Sequence, residues 1–270
     1  FVMLRLGNRA LCQAGIRAHL SGLRMPWQGV RDSSTQALPA VGEELEGFRV
    51  EERFAVPARG WEVARLRHAS GAEHLHVAAP DRNKVFAVLF STVPQDDSGV
   101  AHVLEHTALC GSRRFPVRDP FFNMLKRSLN TFMNAWTGPD FTAYPFSTQN
   151  AADYRNLQEV YLDAAFFPLL DRMDFLQEGW RLEAGEGGLQ RKGVVYNEMK
   201  GAMGDQASQF RAQLNRHLFA GTTYAVNSGG EPAAIPTLSY EALREFHARH
   251  YCAANARFFS YGDQPLAETP

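Results

Sequence analysis

The pentapeptide HVLEH, His102 to His106, decides how the rest of this 270-residue chain is read. Two histidines stand four residues apart, with a glutamate directly before the second. On a helix, positions i and i+4 share a face, so His102 and His106 can aim ring nitrogens at one point. Glu105 lies at i+3 from His102, on the same side, within reach of a water held between the rings. Zinc accepts such a pair at about 2.0–2.1 Å per nitrogen, and a hydrolytic site needs a third protein ligand plus an open position for water. The same five residues also arise on an ordinary surface helix in a chain with nine histidines. The pattern alone does not separate the two readings.

The flanks predict that the motif is helical. "PQDDSG" (94–99) breaks a strand-like run, and a helix follows from about Val100 to Cys110. Upstream, "FRVEERFAV" (48–56), "WEVARLRHA" (61–69), "EHLHVAA" (73–79) and "KVFAVLFSTV" (84–93) are short and rich in β-branched or aromatic residues, with turn residues between them. The first three alternate, which implies one wet face; the fourth is continuously apolar and belongs in the middle of a sheet.

Downstream, Asp119-Pro120 reads as an acidic N-cap followed by proline in the first helical turn. Strands are expected at "TFMNAW" (131–136), "FTAYPFST" (141–148) and "ARFFSYG" (256–262). Helices are expected at about 150–166, 175–181, 194–217 and 238–250. Strands and helices come in blocks rather than strict alternation, which predicts an α+β fold with an antiparallel or mixed sheet.

Composition excludes little but points consistently. With 45% hydrophobic and 21% charged residues and a net charge of -1, the chain gives no electrostatic reason to expect nucleic acid or an anionic membrane as a partner. Apolar runs such as Val85 to Phe90 are too short to cross a bilayer. Cys12, Cys110 and Cys252 are scattered without a CxxC pair, so they read as free thiols in a reducing compartment. Residues 1–31 hold five arginines and no acid, which predicts a mitochondrial transit peptide, with a basic tail as the alternative. Residues 32–46 read as a linker, and 47–270 as the folded part.

A third ligand candidate stands in "GVVYNEMKGAMGD" (193–205). Val194, Val195 and Met199 would bury the turn around Glu198, and a buried carboxylate is costly unless it meets a cation. An exposed glutamate paired with Lys200 is the alternative.

HxxEH with a distant glutamate resembles the inverzincin metallopeptidases. More specifically, the stretch from His102 to Asn150 resembles the presequence protease branch of the pitrilysin family, as do "DFLQEGWRLE", "KGVVYNEMKGAM", "SGGEP" and "NARFFSYG". The likeness runs in order from about Gly47 to Gly262. It implies a pitrilysin-like domain: a largely antiparallel sheet, helices packed on one side, and a zinc site on a helix.

The resemblance further implies one zinc per chain, held by His102, His106 and Glu198, with Glu105 as the base that activates water. It implies a zinc metalloendopeptidase of the mitochondrial matrix that degrades targeting peptides and other short unstructured peptides. The substrate would add to the edge strand in "FMNAWTGPD" (132–140), placing Asn134, Ala135 and Trp136 in contact with it. Strand addition agrees with the physics of extended peptides, which bind a sheet edge through main-chain hydrogen bonds. An ordinary covered edge with Trp136 in the core is the alternative.

Two departures stand out. Many members of the wider family carry a second glutamate seven residues before the ligand glutamate, where this chain has Arg191. Glu178 in "QEGW" offers a replacement carboxylate, or else a salt bridge with Arg181. Complete members are also several times longer, with two halves clasping a cavity, so the C-terminal half of the same enzyme is an implied partner. A fragment or isoform that binds zinc and peptide without turnover is therefore an alternative function, and a processing-peptidase-like subunit is another. Met124, Met133, Met199 and Met203 read as packing residues, Cys110 as a small buried one, and "AAFFPLL" (164–170) as buried. His217, His247 and His250 read as surface or hydrogen-bonded histidines.

Overall fold

The computed structural model describes residues 38–268. The segment read as a transit peptide, with Cys12, lies outside the described residues, as do positions 32–37 of the linker.

In chain order the elements are β1 (Glu44–Leu45), β2 (Phe48–Val56), β3 (Trp61–His68), β4 (Glu73–Ala78), β5 (Lys84–Ser91), α1 (Val100–Ala108) and α2 (Pro120–Arg127). There follow β6 (Asn130–Met133), β7 (Trp136–Thr137), β8 (Phe141–Thr148), α3 (Ala151–Phe166), α4 (Arg172–Glu178), β9 (Arg181–Gly185) and β10 (Gly188–Lys192). The last are α5 (Val194–Ala202), α6 (Gln206–Leu218), α7 (Tyr240–His250) and β11 (Ala256–Gly262).

The main sheet runs β1-β2-β3-β4-β11-β5-β8-β6, with β7 also on β8. It is α+β and largely antiparallel; the exception is β11, which lies parallel to β4 and antiparallel to β5. The apolar run of β5 sits between β11 and β8, the central place its composition predicts. Phe86, Val88 and Phe90 share one face with Tyr144 and Phe146 of β8, opposite them in register. Helices cover that face. Tyr154 and Tyr161 of α3 pack against Phe146, and Tyr251, just after α7, stacks on Phe90 at 4.4 Å between ring centres. Each fully buried aromatic of this kind contributes about 1.5–3 kcal/mol. None of the described helices is long and apolar enough to cross a membrane.

Side-chain caps set several helix starts: Asn150 accepts from the Asp153 amide, Asp171 from Met173, Asp205 from Ser208 and Ser239 from Ala242. The helix expected over 194–217 is two helices, because Gly204-Asp205 ends α5 and caps α6. Asp119 does precede α2, but its φ of 52° is left-handed and its side chain caps nothing. The helix expected to end at Arg181 is α4, which ends at Glu178. Arg181 instead opens the β9–β10 hairpin, whose sparse apolar residues gave no strand signal. Inside the segment read as linker, Glu44–Leu45 forms β1, turned onto β2 by Glu46 and Gly47, both at positive φ. "TFMNAW" is broken at Asn134–Ala135 into β6 and β7. In "AAFFPLL", Ala164, Ala165 and Leu170 are buried, but Phe167 and Leu169 are exposed, Phe167 lying 4.0 Å under the Arg113 guanidinium. Of the four methionines read as packing residues, Met133 and Met199 are core and Met124 and Met203 pack against it.

Candidate metal centre

The motif helix α1 begins at Gly99, whose φ of 69° needs glycine. A Cβ there would stand 2.8 Å from the Gly229 oxygen and the Gly230 Cα, so the "SGGEP" loop packs directly on the start of the helix. Asp97 anchors that loop. Its carboxylate accepts from the Asn227 amide at 2.7 Å and from Arg216 at 2.9 Å, and its carbonyl accepts from the Glu231 amide at 2.8 Å.

His102 and His106 then face the same way, as their spacing predicts, with ring centres 5.0 Å apart. Both rings use their outer nitrogen. His102 Nδ1 lies 3.0 Å from the Gly229 carbonyl, and His106 Nδ1 lies 3.2 Å from Glu178 Oε2. A carbonyl or an ionised carboxylate only accepts, so each Nδ1 carries a proton, and in the neutral ring each Nε2 presents a lone pair. Those two lone pairs converge on Glu198 Oε2, at 3.9 Å from His102 Nε2 and 3.8 Å from His106 Nε2.

One donor atom from each of the three residues lies within 4.8 Å of the others. In a tetrahedron with bonds of about 2.0–2.1 Å, ligand atoms stand about 3.3 Å apart. The two histidine–carboxylate distances exceed that by about 0.5–0.6 Å, and two imidazoles with one carboxylate is a zinc donor set. Glu198 is 38% exposed at its side chain, not buried as its apolar neighbours suggested. It lies about 60° around α5 from the buried Val195, which turns it to the open side of the cluster.

Glu105 is 3% exposed, and Thr137 Oγ1 donates to its Oε2 at 2.7 Å. Burial pushes the Glu105 carboxyl above its ordinary range, against the pull of both histidines and Thr137. For His106, burial is the largest single influence and favours the neutral ring. The Glu178 hydrogen bond and the charges of Glu105, Glu178 and Glu198 together outweigh it and hold the ring above its ordinary value. Burial also acts on Glu178, but hydrogen bonds from His106 and Gln177 keep it below the usual carboxylate range. Three carboxylates around two lone-pair-bearing rings make an anionic concavity, a seat for a cation.

Arg191 is exposed on β10. Glu178, offered by the sequence either to the site or to Arg181, bonds His106, while Arg181 Nε pairs with Glu183 at 2.8 Å. Cys110 is buried with its thiol toward the His106 carbonyl, and burial raises its pKa far above the ordinary thiol value. His247 and His250 bond main-chain carbonyls of Ala165 and Ser91, and His217 is exposed.

Asn134, Ala135 and Trp136 lie at the end of the sheet beyond β8. Ala135 is buried, Asn134 is half-buried with its carbonyl accepting from Tyr161 Oη, and Trp136 is 42% exposed rather than in the core. The sequence did not single out Thr137 or Gly229. The first follows "NAW" directly and the second stands in "SGGEP", so both lay inside runs already marked by resemblance.

No protein-family model matches the chain. Among curated relatives, the mitochondrial presequence protease of Danio rerio is 55% identical over 234 residues, covering 84% of this chain and 23% of that protein. That of Mus musculus is 49% identical over 271 residues, 96% of this chain and 26% of the relative. That of Schizosaccharomyces pombe is 50% identical, over 84% of this chain and 24% of the relative. Among solved structures, pitrilysin superposes with a TM-score of 0.65 at 22% identity, over 82% of this chain and 23% of its own. By sequence, then, the chain is a homologue of the mitochondrial presequence proteases that spans about a quarter of their length, and by fold it is a pitrilysin-type domain.

Proposed function

We propose that this chain carries the metal-binding catalytic domain of a zinc metalloendopeptidase that degrades short unstructured peptides, mitochondrial targeting peptides among them, in the matrix. The observation that carries the reading is the convergence of His102 Nε2, His106 Nε2 and Glu198 Oε2 while both Nδ1 atoms are committed outward. His102, His106 and Glu198 would hold one zinc per chain. When bound, zinc supplies a Lewis acid that activates water for attack on a peptide carbonyl.

Glu105, buried beside the ligands with one oxygen held by Thr137, accepts the proton of that water and returns it to the leaving amine. Asn134, Ala135 and Trp136 line an edge to which an extended substrate adds through its backbone, which favours unfolded peptides because a folded protein has no free strand to offer. The names of the relatives support the substrate class and the mitochondrial address.

A second reading draws on the quarter coverage of those relatives: this domain binds zinc and peptide, and turnover needs further polypeptide. Hydrolysis of a quenched unstructured peptide, with zinc measured on the same sample, separates the two. Chelator-sensitive turnover with zinc near one per chain supports a self-sufficient domain. Zinc and peptide binding without turnover supports the second reading. Folded protein that takes no zinc overturns both.

A further inference from the structure

We propose that Thr137 is a positioning residue that ties the substrate edge to the base; this rests on the reading of Glu105 as that base. The hydroxyl of Thr137 reaches Glu105 Oε2 at 2.7 Å. No other side chain among the described residues hydrogen-bonds that carboxylate. A carboxylate without it could rotate about its own side chain toward either histidine. With Oε2 held, Oε1 remains as the oxygen for water.

The tether comes from an informative place. Thr137 is the second residue of β7, directly after Ala135 and Trp136, and it pairs with Thr142 of β8. Gly138 closes the turn behind it, its amide donating to the Phe141 carbonyl at 2.7 Å. A Cβ on Gly138 would run into the Phe141 ring, so this turn is tightly packed. The inner edge of β7 is thus fixed by β8, and its outer edge carries no described strand. A peptide that adds there lies on the same two-residue strand whose side chain holds the base. Peptide register and the direction of Glu105 are set by one rigid element, and near-attack alignment of this kind contributes to rate rather than to binding. Thr137 neither gives up nor takes a proton; its O–H bond persists throughout.

The test compares Thr137→Val, which keeps the shape and removes the hydroxyl, with Thr137→Ser, which restores it. Both are measured in the zinc-loaded full chain for kcat and KM on an unstructured peptide, and for zinc affinity by chelator competition. Peptide affinity is read separately by adding T137V to the non-hydrolysing Glu105→Gln protein. The expected result is a kcat lower by 10- to 100-fold in T137V and recovered to within about threefold in T137S. KM, zinc affinity and peptide affinity should each stay within about twofold. An unchanged kcat in T137V, or a loss that T137S does not rescue, overturns the proposal while leaving the function intact. A large drop in peptide or zinc affinity also overturns it, since Thr137 would then act on the strand or the ligands. Absence of turnover in the unsubstituted chain, with zinc near one per chain, overturns the proposal for this chain while leaving the zinc and peptide site of the second reading intact.

Discussion

Replacing Glu178 with Gln isolates a charged group that hydrogen-bonds a candidate zinc ligand without being one. Glutamine keeps the shape and can still accept from His106 Nδ1 through its amide oxygen, so the substitution removes charge more than contact. The carboxylate stands 3.2 Å from Nδ1, which puts it about 7 Å from an ion seated at about 2 Å from Nε2. At an effective dielectric of about 20, the Glu178 charge and the net single positive charge of zinc with the Glu198 carboxylate interact by about 2 kcal/mol at that separation. Loss of a partner of this type weakens metal affinity by about 10- to 100-fold, or about 1.4–2.7 kcal/mol, in agreement with that estimate. Zinc dissociation constants from competition with a coloured chelator would measure it, with unfolding in EDTA as the control for fold. Zinc affinity within twofold of the unsubstituted protein would refute the reasoning, because Glu178 would then be a bystander to the ring it bonds.

Three further outcomes follow from other contacts. Gly99→Ala forces a left-handed residue and drives a methyl against Gly229 and Gly230; it should cost at least about 2 kcal/mol by urea unfolding and weaken zinc binding. His74 and His76 share the buried Ser260 hydroxyl, and burial lowers them to about 3 and about 4. The unfolded rings, near 6.5, bind more protons across that interval, so stability is full above about pH 6.5 and falls toward pH 4 by about 1.4 kcal/mol per pH unit for each ring. Urea midpoints from pH 7 to 5 should show this slope, and the His74→Gln/His76→Gln double variant should flatten it. Phe210 and Leu218 on α6 are 68% and 66% exposed, so replacing both with serine should leave the urea midpoint within about 0.5 kcal/mol per site while reducing self-association in light scattering.

The paired histidines were legible because a helix repeats locally: i and i+4 share a face whatever lies beyond. The same holds for β5, whose unbroken apolar run predicted a central place in the sheet. Glu198 was different. Its distance from the motif left its role open, and its side chain lies about 60° around α5 from the buried Val195, on the exposed side. Contacts that orient the site were the least legible. Thr137 reaches Glu105 across 32 positions and Gly229 reaches His102 across 127, and no periodicity carries information over such spans. The β9–β10 hairpin was missed for the opposite reason. Leu182 and Leu189 are exposed, so the hairpin has no buried face to impose alternation. At Gly204-Asp205 the break between α5 and α6 was visible in principle, since Asp205 is a good N-cap, but the continuing helical composition masked it.

The central claim is that two histidines and Glu198 hold the metal while Glu105 does not. It is tested most directly by zinc content, measured by atomic spectroscopy on the unsubstituted chain, Glu105→Gln and His102→Ala purified side by side. The account predicts zinc near one per chain in the first two and little or none in the third. Equal loss of zinc in Glu105→Gln and His102→Ala, or none in the unsubstituted folded chain, would contradict it.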